Sequence, residues 1–406
     1  MPKGDYNRQI PYNTNPNINK PIEEIYGDLD AYTVEVFEDE PDMPTGLTFT
    51  VILPPCLYEG KFIKGIYFSE GVDILNKHLP QLSDAFFSIA NSRWCNYPWS
   101  KTADAYFGVY PNSQREAWFR KNHPEHFKKV IIPIQDAEFT NDYYMQPNRF
   151  IQKDIDVLCV SRMDLDKNIP MLAKGLKIYR KKYPNNPIKM TWIVCHSFDF
   201  RKPETMDEYH QERWQEILAV VPNIEDYIIP RRMMSYDQVR NHYNRAKVDI
   251  LGSLLEGTNR SIHEAMSCNV PVICFDAFNK YLRGEEGVVI PEKAGLYAEF
   301  DPESVADRIY QVLQNQDYFK PRLGYLKHFG RRNFFNLCLD SFNYYRENVP
   351  DYQSGNAFNN LWLDLAVQNH YGVSLFDFLY YRRPEYAVIH GMDNIVNTIN
   401  RWIRVV

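Results

Sequence analysis

Short apolar runs alternate with stretches whose apolar positions return every three or four residues, most regularly between Ile155 and Gln314. This pattern predicts, in order, strand Ile155 to Val160, helix Ile169 to Lys181, strand Met190 to Cys195 and helix Met206 to Val220. Strand Tyr227 to Ile229, helix Tyr236 to Ala246, strand Val248 to Leu251, helix Asn259 to Cys268 and strand Val270 to Phe275 follow. Asn269, which tolerates the left-handed conformation, is placed to close the penultimate helix. After a short strand at Val288 to Ile290, Asp301-Pro302 supplies an N-cap and a first-turn proline. The helix that they open lines up Val305, Ile309, Val312 and Leu313 on one face. Strands alternating with helices in this way imply a parallel, doubly wound sheet.

The earlier half alternates too, but compactly and irregularly. Apolar runs at Thr48 to Leu53, Phe62 to Phe68, Ala105 to Val109 and Val130 to Ile132 are interleaved with helical stretches at Val72 to His78 and Ser113 to Lys121. Residues 1–20 are polar, rich in Asn and Pro, and read as a flexible arm. A polar stretch from Tyr143 to Gln152, containing Pro147, marks a boundary, and the tail from Arg331 to Val406 is helical and aromatic. The expected division is therefore an arm at 1–20, a reduced α/β domain at 21–150, a second α/β domain at 151–330 and a helical tail at 331–406. A chain of 406 residues exceeds the roughly 250–300 at which single cores stop growing, which also argues for two domains.

Composition narrows the function. With 46 Lys and Arg against 52 Asp and Glu, the net charge of −6 leaves no basic field for nucleic acid. The seven cysteines form no Cys-x-x-Cys pair and mostly fall in apolar runs, as reduced core residues of a cytoplasmic protein do. No apolar stretch of membrane-spanning length and no apolar leader segment is visible.

Candidate chemistry gathers where strands end. Strand Ile155 to Val160 runs into Ser161-Arg162-Met163-Asp164-Leu165-Asp166-Lys167, so Arg162 and Lys167 leave its carboxyl end. Strand Val248 to Leu251 leads to Glu256-Gly257-Thr258-Asn259-Arg260, and a helix carrying Glu264 begins there. Ligands of open α/β sheets bind outside the carboxyl ends of the strands. Amide groups of Gly257, Thr258, Asn259 and Arg260 at a helix N-terminus favour phosphate, and Glu264, two turns further on, suits a ribose diol. Two cations and a helix N-terminus neutralise a diphosphate leaving group without a metal.

These residues carry a resemblance. Val160-Ser161-Arg162 followed by Lys167, Glu256-Gly257, and Glu264-Ala265-Met266-Ser267-Cys268-Asn269-Val270-Pro271-Val272-Ile273 resemble the retaining glycosyltransferases of family 4. Ala103 to Val109 and Val130 to Pro133 resemble the last strands of that family's acceptor domain. The resemblance implies the GT-B fold: two Rossmann-like domains facing a cleft, here with a reduced N-terminal domain and a helical tail that packs back on it. It further implies transfer of a hexose-type sugar, with retention, from a nucleoside diphosphate sugar to a hydroxyl of a glycan, lipid or small molecule. Arg162 and Lys167 match the positions that grip the donor diphosphate, Glu264 the ribose-binding carboxylate, and Glu256 the carboxylate beside the donor sugar. Gly257 to Arg260 match the loop that contacts sugar and phosphate. Arg231 and Arg232, in Pro230 to Met233, fall where the nucleobase is cradled.

There are two departures from the family pattern. Asn269 stands where Gly is usual, and no Gly pair occurs before Lys153, where the family has a Gly-Gly loop near the donor phosphates. The second favours an alternative, a non-catalytic nucleotide-binding scaffold or partner subunit of the same fold; a sugar phosphorylase has no feature in its support. Three Asp-x-Asp triplets, at Asp28, Asp154 and Asp164, read as chance rather than as a metal motif, so no metal or other cofactor is expected. His196, directly after a strand, is either a hydrogen-bonded structural residue or a nucleotide contact. Glu70 is either an acceptor contact or a plain carboxylate at a helix start. Tyr380, Tyr381, Arg382 and Arg383 offer a peripheral membrane or partner contact, ranked below a bracing role for the tail.

Overall fold

The computed structural model describes residues 48–53, 55–69, 71–90, 100–107, 129–132, 140–254, 259–276, 289–357, 359–361 and 388–390. Glu70, Glu256, Gly257, Thr258, the arm at 1–20, the expected helix at 113–121 and the Tyr380 to Arg383 cluster lie outside them. Two compact units form: one from described residues up to Tyr144 together with those from Phe329 onward, the other from Met145 to His328.

The first unit starts with β1 (Thr48–Leu53), a small hairpin of β2 (Cys56–Tyr58) and β3 (Lys61–Ile63), and β4 (Gly65–Ser69). The single strand expected at Phe62 to Phe68 is thus broken at Lys64. Gly65 lies so close to the Leu53 carbonyl and Pro55 that a side chain would not fit, which bends the chain from hairpin into sheet. Helices α1 (Val72–His78) and α2 (Leu82–Ala85) lead to β5 (Phe86–Ala90), β6 (Ala105–Phe107) and β7 (Val130–Ile132).

In the second unit β8 (Ile155–Ser161) is followed by α3 (Ile169–Lys182), β9 (Met190–Val194), α4 (Glu208–Val220) and β10 (Ile228–Arg231). Next come α5 (Tyr236–Arg245), β11 (Ala246–Ile250), α6 (Arg260–Ser267), β12 (Val272–Phe275), β13 (Gly295–Ala298), α7 (Pro302–Gln314) and α8 (Pro321–His328). The six strands lie in the order β10-β9-β8-β11-β12-β13, all parallel. Numbered within the unit this is 3-2-1-4-5-6, the doubly wound order, and its direction reverses between β8 and β11.

Local chemistry fixes the helix ends. Asp207 caps α4 and delays its start to Glu208; Ser235 and Gln238 form a capping box on α5; Asp301 caps α7 ahead of Pro302. Asn269, at φ +60°, closes α6, with the Val270 amide reaching back to the Ala265 carbonyl in a Schellman arrangement. Val289 and Ile290 do not form the expected strand. Their amides donate to the Tyr297 hydroxyl, and the pairing edge lies at β13 instead.

The chain then returns to the first unit through α9 (Arg331–Asp340), α10 (Asn343–Asn348) and β14 (Val388–His390). That unit's main sheet runs β14-β1-β4-β5-β6-β7, with β4 to β7 parallel and β1 antiparallel to both its neighbours. Phe334, Phe335, Leu339 and Tyr345 share one buried core with Phe49, Tyr67 and Phe86. Phe342 stacks on Phe87 with ring centroids 4.6 Å apart, and the Tyr345 hydroxyl donates to the Lys64 carbonyl at 3.0 Å. Both units are therefore α/β with Rossmann-like parallel strands, the layering of the GT-B class. Among the described residues no helix is long and apolar enough to cross a membrane. Cys56, Cys159, Cys268, Cys274 and Cys338 are buried free thiols, whereas Cys195 is exposed.

Candidate functional site

The strand order reverses between β8 and β11, the place in such a sheet where ligands bind outside the carboxyl ends of the strands, and the loops leaving these two strands are fastened together. Asn168, at φ +48°, sits between a short 3-10 turn and α3, and its side-chain amide donates to the Gly252 carbonyl at 2.9 Å. Gly252 passes so near the Lys167 carbonyl that a Cβ there would overlap it. Only glycine permits this approach of the two backbones.

Lys167 is 3% exposed, and its ammonium lies 2.7 Å from the Asp166 carboxylate. The Arg162 side chain is 57% exposed and pairs with Asp164 at 3.0 Å. Asp164 and Asp166 thus act as counter-ions that hold the two cations in place at the strand edge. An acidic ligand would meet one cation that is already desolvated and another that is paired but open to solvent.

On the opposite side of the switch, Asn259 caps α6, accepting from the Ser261 amide at 2.8 Å and from its hydroxyl. Glu264 is buried, and burial pushes its carboxyl up to about 7, against the opposing pull of Arg260 one turn earlier and the hydroxyls of Tyr236 and Tyr243. His263 beside it is buried and neutral, driven down to about 3. Beneath them Asp249, on β11, is fully buried. Neither of its carboxylate oxygens has a hydrogen-bond partner among the described residues. Burial, then the nearby Glu264 charge, raise it well above the usual carboxylate range.

Cys195 follows β9; its residue surface is open to solvent, but its thiol is partly desolvated, which raises its pKa most, while Arg162 and Lys167 pull it down and Glu264 and Asp164 push it up. Arg162, Lys167 and Glu264 therefore all lie near enough to this thiol to act on it electrostatically. Arg231 is not among them: it lines a hollow with Asp154, Asp156, Arg180, Thr191 and His242. Arg232 is exposed, and the segment Pro230 to Met233 is tied to the loop after β9 through the Met233 amide, which donates to the His196 carbonyl at 2.8 Å. The His196 ring stacks on Phe198 at 4.7 Å, and its Nε2 is buried without a hydrogen-bond partner. Glu256, Gly257, Thr258 and Glu70, outside the described residues, receive no placement.

The sequence pattern gives no role to Asp164 and Asp166, read there as a chance Asp-x-Asp triplet, or to Asp249, Tyr236 and Tyr243. Only the first two left a trace, as acids spaced one or two positions from the bases that they hold.

Residues 154–315 match the family model of the glycosyl transferases group 1, a span of less than half the chain. A comparison with curated protein sequences finds no match. Similar solved structures include sucrose-phosphate synthase from Thermosynechococcus elongatus, at 19% identity and TM-score 0.45, covering 61% of this chain and 59% of that one. TarM from S. aureus, solved with UDP among its ligands, is 16% identical at TM-score 0.48, covering 68% and 55%. A glycosyltransferase from Rickettsia africae is 14% identical at TM-score 0.47, covering 69% and 80%. This chain thus spans little more than half the length of the first two. At these scores the likenesses carry no argument about activity.

Proposed function

We propose that this protein is a retaining glycosyltransferase that moves a hexose-type sugar from a nucleoside diphosphate sugar to a hydroxyl of a glycan, lipid or small molecule. The observation that carries the reading is the placement of Arg162 and Lys167 just after β8 and of Glu264 on the helix that follows β11, the two strands that flank the switch point of a doubly wound sheet whose span matches the group 1 family model. Arg162, Lys167 and the amide-rich start of α6 would take the diphosphate, whose charge grows as the bond to the sugar breaks. Glu264 would accept hydrogen bonds from the ribose diol. Glu256 belongs to this reading by its place in the sequence, as the acid that orients the donor sugar and steadies charge at its reacting carbon. A phosphate oxygen of the leaving group would take the acceptor proton on the same face, which gives retention. No metal is needed at the phosphates.

The experiment is thermal melting with UDP, GDP and dTDP, followed by product analysis with the matching nucleotide sugars. The expected result is stabilisation by one diphosphate and product from its sugar. Lys167→Ala should then lower turnover by about 100-fold or more, as loss of one aimed donor in a water-poor site does. Unchanged turnover would remove Lys167 from the mechanism. The absence of a Gly pair before Lys153 favours a second reading, a scaffold that keeps the nucleotide site; it requires stabilisation without product from any donor.

A further inference from the structure

We propose that Asp164, His196 and His210 form a binding site for a divalent transition metal of the zinc type at the carboxyl edge of the second sheet. One ligand atom from each lies within 4.8 Å of the other two, and this is the cluster of that kind among the described residues. The three come from separate segments: the loop after β8, the loop after β9 and the first turn of α4.

Two features point to a ligand. The Nε2 atoms of both histidines are buried and have no hydrogen-bond partner. Buried imidazole nitrogens are ordinarily satisfied, so two neighbouring rings, 4.6 Å apart, that each keep one without a partner call for an occupant. Secondly, His210 is oriented as metal-binding histidines are. Its Nδ1 lies 2.7 Å from the Asp207 carboxylate, which holds the proton on that nitrogen and leaves the Nε2 lone pair directed at the cluster. Asp207 is itself fixed, because its other oxygen caps α4 by accepting from the His210 amide at 3.0 Å.

The alternative, a protonated His210 bridging two aspartates, fails on distance. His210 Nε2 is 4.0 Å from Asp164 Oδ1, too far for a hydrogen bond, and His196 Nε2 would still lack a partner. Asp164 divides its carboxylate, with Oδ2 3.0 Å from Arg162 and Oδ1 on the histidine side. Phe198 walls the site, its ring 4.7 Å from both imidazoles.

Metal bonds of about 2.0–2.2 Å would draw the three atoms together to roughly 3.3 Å, a contraction that side-chain rotation supplies. Two imidazoles and one carboxylate suit Zn2+, Co2+ or Ni2+, and disfavour Mg2+ and Ca2+, which prefer oxygen alone. Such a metal would pin three segments at the carboxyl edge of the sheet and would not replace Arg162 and Lys167 at a diphosphate.

The test is titration of the full chain with Co2+ and Zn2+ in the absence of nucleotide, which separates it from the transferase reading. One equivalent of Co2+ should bind, with visible absorption bands of a low-coordinate site, be displaced by Zn2+, and remain with little competition from millimolar Mg2+. His196→Ala and His210→Ala should each weaken binding by at least about 100-fold, and Asp207→Asn, which keeps every ligand, by about 10–100-fold. Circular dichroism confirms that each variant is folded. Absence of saturable binding to the unmodified chain overturns the proposal. So does one-equivalent binding that survives the His196→Ala/His210→Ala double variant, or loss of binding in Cys195→Ser, which would move the site to that thiol.

Discussion

Glu264 occupies a position where a carboxyl is held near the balance between charged and neutral. Its folded-state value of about 7 exceeds the ordinary 4.5, so between those pH values the folded chain holds this proton more firmly than the unfolded chain. The stability that follows is fully present below about 4.5 and is lost as pH rises through 7, about 3 kcal/mol at roughly 1.4 kcal/mol per unit. Asp249, raised in the same direction, steepens the decline. Urea unfolding at pH 5 and pH 8 should show the drop, and Glu264→Gln should flatten it. A diphosphate nucleoside whose ribose donates to Glu264 needs the carboxylate form, so its affinity should rise over the window in which the empty protein weakens. Calorimetry in buffers of different ionisation heat would detect the proton released on binding.

Between β8 and β11 the decisive geometry belongs to two loops rather than to any side chain. Gly252→Ala would force its new methyl against the Lys167 carbonyl, separating the loops that Asn168 ties together. Overpacking of this sort costs about 1–3 kcal/mol. The variant should melt earlier and bind nucleoside diphosphate more weakly than that loss alone predicts; a lower melting temperature with unaltered nucleotide affinity would show that the loops act separately. Elements were legible in the sequence where period and punctuation agreed. Arg162, Lys167 and Glu264 could be placed because a switch from apolar run to polar loop marks a strand's carboxyl end. Val289 and Ile290 misled because an apolar run says nothing of where its amides bond, and the Tyr297 hydroxyl takes both. Asp249 was hidden inside a strand, where one polar letter reads as an edge position. The meeting of Asp164, His196 and His210 depends on three segments coming together, which no local spacing encodes.

At the scale of the molecule, one unit is uninterrupted among the described residues and the other is not. The stretch Met145–His328 holds its own six-stranded sheet and its own site residues, whereas the other unit draws on segments before and after it. A fragment covering 145–328 should express as a folded, monodisperse protein and be stabilised by the same nucleoside diphosphate as the full chain. An aggregated or non-binding fragment would show that the second unit depends on the first. Phe334, Phe335, Leu339 and Tyr345 complete the core begun by Phe49 and Tyr67, some 280 residues earlier, as the Tyr345 to Gly65 hydrogen bond records. On the ribosome this sets an order. The strands laid down first have to wait, their aromatic face uncovered, while the whole inserted unit emerges and closes, so the nascent chain is most in need of a chaperone just before α9 and α10 appear.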